Sequence, residues 1–253
     1  MLTPTRSRLS RSRSAKDAIE RLYQVFARYR APVRLDASPL RDADAILRAL
    51  RSAPLRELGA EQVLPYAGWA LTTVGTEDEY QHFFPRIFEL ALDGAPYLGA
   101  EPAIMADKLR RAGFERWGDD QREAVRAAFG AAWACALARD PAERDATCWL
   151  PGLAILGDVT DALDTWRRTS SPYAPGHLAT LVQQQGGEFW NGDRVGGAFW
   201  DGLVPEEPRR QVMAWLRDPA LERWLDDAER PGDFDAAWRL DGARRLLRAR
   251  PSA

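Results

Sequence analysis

Cysteine is nearly missing from this 253-residue chain: Cys135 and Cys148 are the whole complement. Two thiols are too few for a disulfide framework, and their separation matches no C-x-x-C metal or redox spacing. They read as reduced, buried thiols of a cytoplasmic protein. Histidine is as scarce, with only His82 and His177, which excludes a His-rich zinc site. Lysine occurs only at Lys16 and Lys108. Neither sits in the Gly-Lys-Ser/Thr context through which a P-loop holds phosphates, so no nucleotide is expected by that route. There is no G-x-S-x-G elbow and no H-E-x-x-H. The R-x(4–6)-H spacing of helical ribonucleases is missing too, because residues 75–77 and 170–172 contain no arginine. No apolar run approaches the roughly 20 residues that span a bilayer. The basic N-terminus has no apolar stretch behind it, unlike a secretory signal. The reading is therefore of a protein with no cofactor, no metal and no membrane partner.

β-Branched aliphatic residues are also few. Valine and isoleucine total 15, against 70 alanines and leucines. Alanine loses no side-chain entropy in a helix and leucine little, whereas β-branched side chains suit strands. The expected fold is all-α: one globular domain of about ten to twelve packed helices over residues 15–250, with a helical-hairpin, solenoid-like array as a variant. No fixed-period repeat supports that variant.

Charge is uneven within a net of −2. Residues 1–16 carry five basic and no acidic side chains, and the rest carries 30 basic and 37 acidic. Residues 1–14 (MLTPTRSRLSRSRS) offer almost nothing to bury and read as a disordered tail. The C-terminal stretch is basic again, with Arg239, Arg244, Arg245, Arg248 and Arg250 against Asp241.

Caps and periodicity place the helices. Ser14 reads as the N-cap of a helix over 15–30, with Ile19, Leu22, Tyr23, Phe26 and Tyr29 on one face. Ser38-Pro39 reads as the start of a second helix reaching Arg51. A third covers 60–73, with Leu71 inward. Thr76-x-x-Glu79 is a capping box opening a helix to Leu92. Later helices fall at 101–112, 119–138, 143–156, 158–169, 175–185, 205–217, 219–229 and 233–249, with proline and glycine at nearly every junction. Residues 186–202 hold six glycines and read as a surface loop running into a short helix, although Asn191-Gly192 also fits a hairpin turn. Ten tryptophans are spread along the chain. Most read as core fillers, and Trp200 as a candidate ligand platform.

The segment 72–92, TTVGTEDEYQHFFPRIFELAL, carries the densest chemistry. Tyr80, Phe83, Phe84, Ile87, Phe88 and Ala91 make one helical face. Opposite them Asp78, His82, Arg86 and Glu89 fall four, four and three residues apart, in one row. A carboxylate beside an imidazole and a guanidinium suits acid–base work on an anion, so His82, Arg86 and Glu89 are the catalytic candidates. Asp78, His82 and Arg86 are also binding candidates. Pro85 cannot donate to Gln81 and should kink the helix. The competing reading is a solvated or ion-paired face, which any half-buried helix shows.

Thr73, Gly75, His82, Pro85, Arg86, Glu89 and Leu90, with Phe199, Trp200, Trp215 and Leu216 later, resemble a family of uncharacterised bacterial proteins of similar length. Its pattern is T-x-G…D-[FY]-x-H-[FY]-[LF]-P-R-[IL]-[LF]-E-L, followed by FW…WL. Val74 departs from it where tryptophan is expected. The resemblance covers about a fifth of the chain, implies a helical fold and carries no activity. Three functions compete: a non-catalytic module that binds another protein, an enzyme using the His82 row, and a weak nucleic-acid binder using the basic tail. The first is favoured, because tryptophan and arginine are enriched at interface hot spots. The acidic body opposes the third.

Overall fold

The computed structural model describes residues 13–94, 99–186, 189–229 and 232–249. Most of the Arg/Ser-rich tail lies outside those residues. Among the described residues there are twelve α-helices and no strand. The fold is all-α. Its contacts cluster into two compact units, Met1–Ala131 and Ala132–Ala253, which are described in turn.

The first unit contains α1 (Arg13–Phe26), α2 (Ala43–Leu50), α3 (Ala60–Trp69), α4 (Glu77–Leu92), α5 (Pro102–Arg111) and most of α6 (Asp119–Leu137). Its core is aromatic. Phe26 meets Phe84 and Trp117 edge-on at 5.7 and 5.6 Å, and Phe88 meets Phe129 at 5.3 Å. Such offset and edge contacts satisfy the ring quadrupoles while burying large area. The leading helix pairs are α1 with α4 and α2 with α3.

Four starts and stops differ from the sequence reading, the first being that α1 ends at Phe26 rather than at residue 30. The helix of α1 already includes Ser14, so Ser14 is not its cap. The chain at 36–38 is not helical but lies beside 73–75: Gly75 N–H donates to the Asp36 carbonyl at 2.8 Å, and Ser38 N–H to Thr73 at 2.9 Å. This delays α2 until Asp42, whose carboxylate accepts from Ala45 N–H at 2.8 Å. The same pairing ends α3 at Trp69, and Leu71 takes a left-handed φ of 63° rather than continuing the helix.

The second unit contains the end of α6, α7 (Leu150–Ile155), α8 (Val159–Arg168), α9 (Ala174–Gln185), α10 (Glu206–Leu216), α11 (Pro219–Asp227) and α12 (Phe234–Arg248). The helix expected over 143–156 is split. Asp145 accepts from Thr147 N–H and holds a 3-10 turn at 146–148 before α7 begins. The dominant pair is α9 with α12. Pairs so far apart in sequence are unlike the neighbour-on-neighbour stacking of a solenoid. Trp133, Trp166 and Trp215 form a run with ring separations of 5.1 and 5.2 Å, and the first two donate their indole N–H to the Ala162 and Ala174 carbonyls. Cys148 is exposed and Cys135 half-buried, so the expectation of two buried thiols is corrected.

The glycine-rich stretch from 189 to 204 is an ordered loop, with no hairpin strands among its described residues. Two arginines hold it. Arg209 Nε donates to the Val195 carbonyl at 2.7 Å. Arg217 donates to the carbonyls of Phe189 and Gly192. A loop without a ladder of its own satisfies its carbonyls through these side chains.

Candidate functional site

Helix α4 starts as the sequence implies. Thr76 and Glu79 close the capping box, with Thr76 N–H donating to Glu79 Oε2 at 2.6 Å. Asp78 lies exposed in the first turn, where a carboxylate favours the helix dipole. The assigned helix runs unbroken through Pro85, which is buried. Tyr80, Phe83, Phe84, Ile87 and Phe88 are all buried, and this face fixes how the polar row is presented.

His82 is half-buried, and its Nδ1–H donates to the Tyr29 carbonyl at 2.9 Å. A carbonyl only accepts, so this bond fixes the tautomer. The ring meets Phe83 edge-on at 4.7 Å. Burial pushes the imidazole below its usual pKa, so it is neutral at pH 7.

Arg86 and Glu89 do come together. Arg86 Nη1 donates to Glu89 Oε2 at 2.6 Å, and Arg86 Nε donates to the Leu58 carbonyl at 2.7 Å. The phenol of Tyr23, from α1, donates to the same Glu89 oxygen at 2.7 Å. Burial and the adjacent carboxylate hold the Tyr23 phenol well above its ordinary pKa. Arg56 covers the Tyr23 ring at 3.9 Å and forks onto Glu20 at 2.5 and 2.9 Å. The row is thus half of a buckle that fastens α1 and the 55–58 turn to α4. Breaking one side of such a pair leaves a partly buried charge uncompensated. The partners of His82 are Tyr29 and Phe83, not Arg86 or Glu89. The geometry brings two of the three catalytic candidates together and directs the third elsewhere. Trp200 is buried.

Three polar groups that the sequence reading passed over are deeper. Lys108 is 3% exposed, and its ammonium donates to the carbonyls of Ala67, Gly68 and Ala70 at 2.5, 3.0 and 2.9 Å. It caps the C-terminus of α3, although burial draws its pKa down to about 8. The signal was available: one of two lysines in an arginine-rich chain sits between Met105, Ala106 and Leu109 on an apolar face. His177 is fully buried; Nδ1 accepts from Ala146 N–H at 3.2 Å and Nε2–H donates to the Arg139 carbonyl at 2.9 Å. Arg209 is the third. All three serve backbone groups. Among the described residues, no three His, Cys, Asp or Glu side chains gather as metal ligands.

What faces water is more distinctive. In the first unit Val33 is 80% exposed, Leu40 87% and Trp69 40%. The guanidinium carbon of Arg41 lies over the Trp69 indole, 3.3 Å from the ring centre, and Arg41 Nε donates to Thr73 Oγ1 at 3.3 Å. The pairing of 36–38 with 73–75 carries the segment that follows, with Leu40 and Arg41, toward Trp69 and Thr73. No family model, curated protein or solved structure matches the chain.

Proposed function

We propose that this protein is a non-catalytic interaction module that engages another protein through the surface around Trp69. The observation that carries the reading is the exposed set Val33, Leu40 and Trp69 with Arg41 stacked on the indole. Large apolar side chains in water gain free energy when a partner covers them. A tryptophan–arginine stack is a pre-ordered anchor of the kind that dominates interface energetics. Leu71, strained beside it, fits the clustering of backbone strain at binding sites. The acid–base candidates favour the same reading from the other side. Arg86 and Glu89 are spent on the Tyr23 and Leu58 buckle, and His82 on a backbone carbonyl.

The test is site-directed. A photo-crosslinking phenylalanine analogue at Leu40 should give one discrete protein adduct in an extract of the source cells. Trp69→Ala should reduce its yield as a loss of about 30-fold in affinity would, the cost of roughly 2 kcal/mol at a hot spot. The same analogue at exposed Arg223 should give none. Equal adducts at both positions, or an adduct indifferent to Trp69→Ala, would remove the reading.

A further inference from the structure

The last helix of the second unit has an outward stripe of unusual make-up. Phe234, Trp238, Asp241, Arg245 and Arg248 follow one another at spacings of four, three, four and three. That is the seam of a heptad, in one line along the helix. Phe234 is 79% exposed and Trp238 58%, and Arg245 is exposed beyond them. The opposite face, with Ala237, Leu240, Ala243 and Leu247, is buried. The basic half of the stripe borders a shallow cleft of about 350 Å³, lined by Asp226 of α11 and by Asp241, Arg244, Arg245 and Arg248. Arg248 pairs with Asp226 at 2.6 Å, and Arg244 donates to the carbonyls of Leu225 and Ala228, so the cleft wall is braced. One helix therefore carries an aromatic knob at one end and an arginine-lined hollow at the other. Trp238 and Arg245 are about 10 Å apart along the axis, seven residues at 1.5 Å each.

We infer that α12 is a self-association surface, on which a second copy of this chain packs antiparallel. Running the two helices in opposite directions about a two-fold axis near Asp241–Gly242 sets each Trp238 against the partner's Arg245. It also brings each Phe234 near the partner's Arg248. The flat guanidinium then stacks on the ring, and carboxylates in the hollow accept the indole N–H. Exposed Asp233 and Asp235, beside the aromatics, meet the basic end of the other copy. Charge complementarity selects this occupant. An apolar foreign helix would cover the aromatics but strip water from Arg245 and from the Arg248–Asp226 pair with nothing to offset it, and an acidic peptide would suit Arg245 but leave Phe234 and Trp238 in water. The reversed copy satisfies both halves, as an isologous contact requires. Acid at a helix start and arginine at its end also suit the dipole. The dipole gives no reason for two large aromatics to face outward.

The stripe is shorter than a standard interface of about 1,600 Å², so the dimer is reversible, with Kd on the order of 10 µM. Sedimentation velocity on the full chain should show a concentration-dependent monomer–dimer equilibrium. Trp238→Ala and Arg245→Glu should each weaken it at least about tenfold, with helix content unchanged, and with the melting temperature close to wild type when measured at dilution where the chain is monomeric, because both positions are exposed. The decisive step is to mix the two variants. The mixed dimer keeps one intact Trp238–Arg245 pair, whereas each variant alone keeps none, so the mixture should dimerise more tightly than either. A wild type monomeric to about 0.5 mM, a dimer unmoved by both substitutions, or a mixture no better than its parts overturns the inference. Trp69→Ala should leave this equilibrium unchanged, which separates the α12 contact from the proposed partner surface.

Discussion

Lys108 shows why residue identity matters more than charge at a buried site. In a chain with only one other lysine and 33 arginines, a lysine stands where three carbonyls converge on one nitrogen. An ammonium is a compact point donor with three protons; the larger planar guanidinium, which at Arg244 serves the Leu225, Asp226 and Ala228 carbonyls from a more open site, would overfill this buried one. Lys108→Met should cost about 3 kcal/mol by leaving the end of α3 uncapped, and Lys108→Arg should also destabilise although charge is kept. Chemical denaturation read by tryptophan fluorescence checks both. The buckle around Glu89 is a related case. Its capping box and polar row were legible from spacing alone, since they lie within one helix. The partners of Arg86 and Glu89 were not, because Leu58 and Tyr23 are 28 and 66 residues away. A row of charged residues looks the same in sequence whether it lines a pocket or closes a seam.

Among elements, helix positions were readable because proline, glycine and capping residues mark them locally. The exceptions arose where distant chain intervened. Ser38-Pro39 is a sound start signal, but the chain at 73–75 pairs with its backbone, and Asp42 caps instead. Leu71 fits an apolar period, yet Leu71 N–H turns back to the Val74 carbonyl at 3.0 Å. Trp238 and Trp69 sit at plausible core spacings and are exposed, since periodicity does not count how many neighbours are present to cover a face. Glycines make a measurable contrast. Gly99 has φ +82°, and a Cβ there would collide with the backbone of Ala67 and Gly68 at the capped end of α3. Gly130, inside α6, has nothing within 4 Å of that position. Gly99→Ala should therefore destabilise by about 3 kcal/mol, and Gly130→Ala should stabilise by roughly 0.5–1 kcal/mol. Paired thermal melts give both signs.

At the scale of the whole molecule, both histidines act in the same direction. Burial lowers the pKa of His82 in one unit and of His177 in the other. Asp145 and Asp140 oppose the shift at His177 without reversing it. As pH falls, the unfolded chain takes up these protons first, near its unperturbed value of about 6.5. Stability is therefore full above that pH and is lost below it, until the folded imidazoles also titrate. Melting temperature measured from pH 7.5 to 5 should fall, and the slope should be shallower in His177→Asn than in the wild type, whatever the variant's absolute stability. An unchanged slope would exclude His177 as a source of the acid limb. The helical class was readable from composition, which is a sum over all residues. Which ends of which helices meet is a property of pairs such as α9 with α12, and no local signal encodes it.

The two side-chain amines of the chain live in opposite surroundings: Lys16 is in water, and Lys108 has all three protons occupied. An acylating reagent at neutral pH therefore marks Lys16 at once. It reaches Lys108 only during the intervals when the end of α3 has lifted away. The slow rate of that second modification is a built-in clock for how often this corner of the protein breathes.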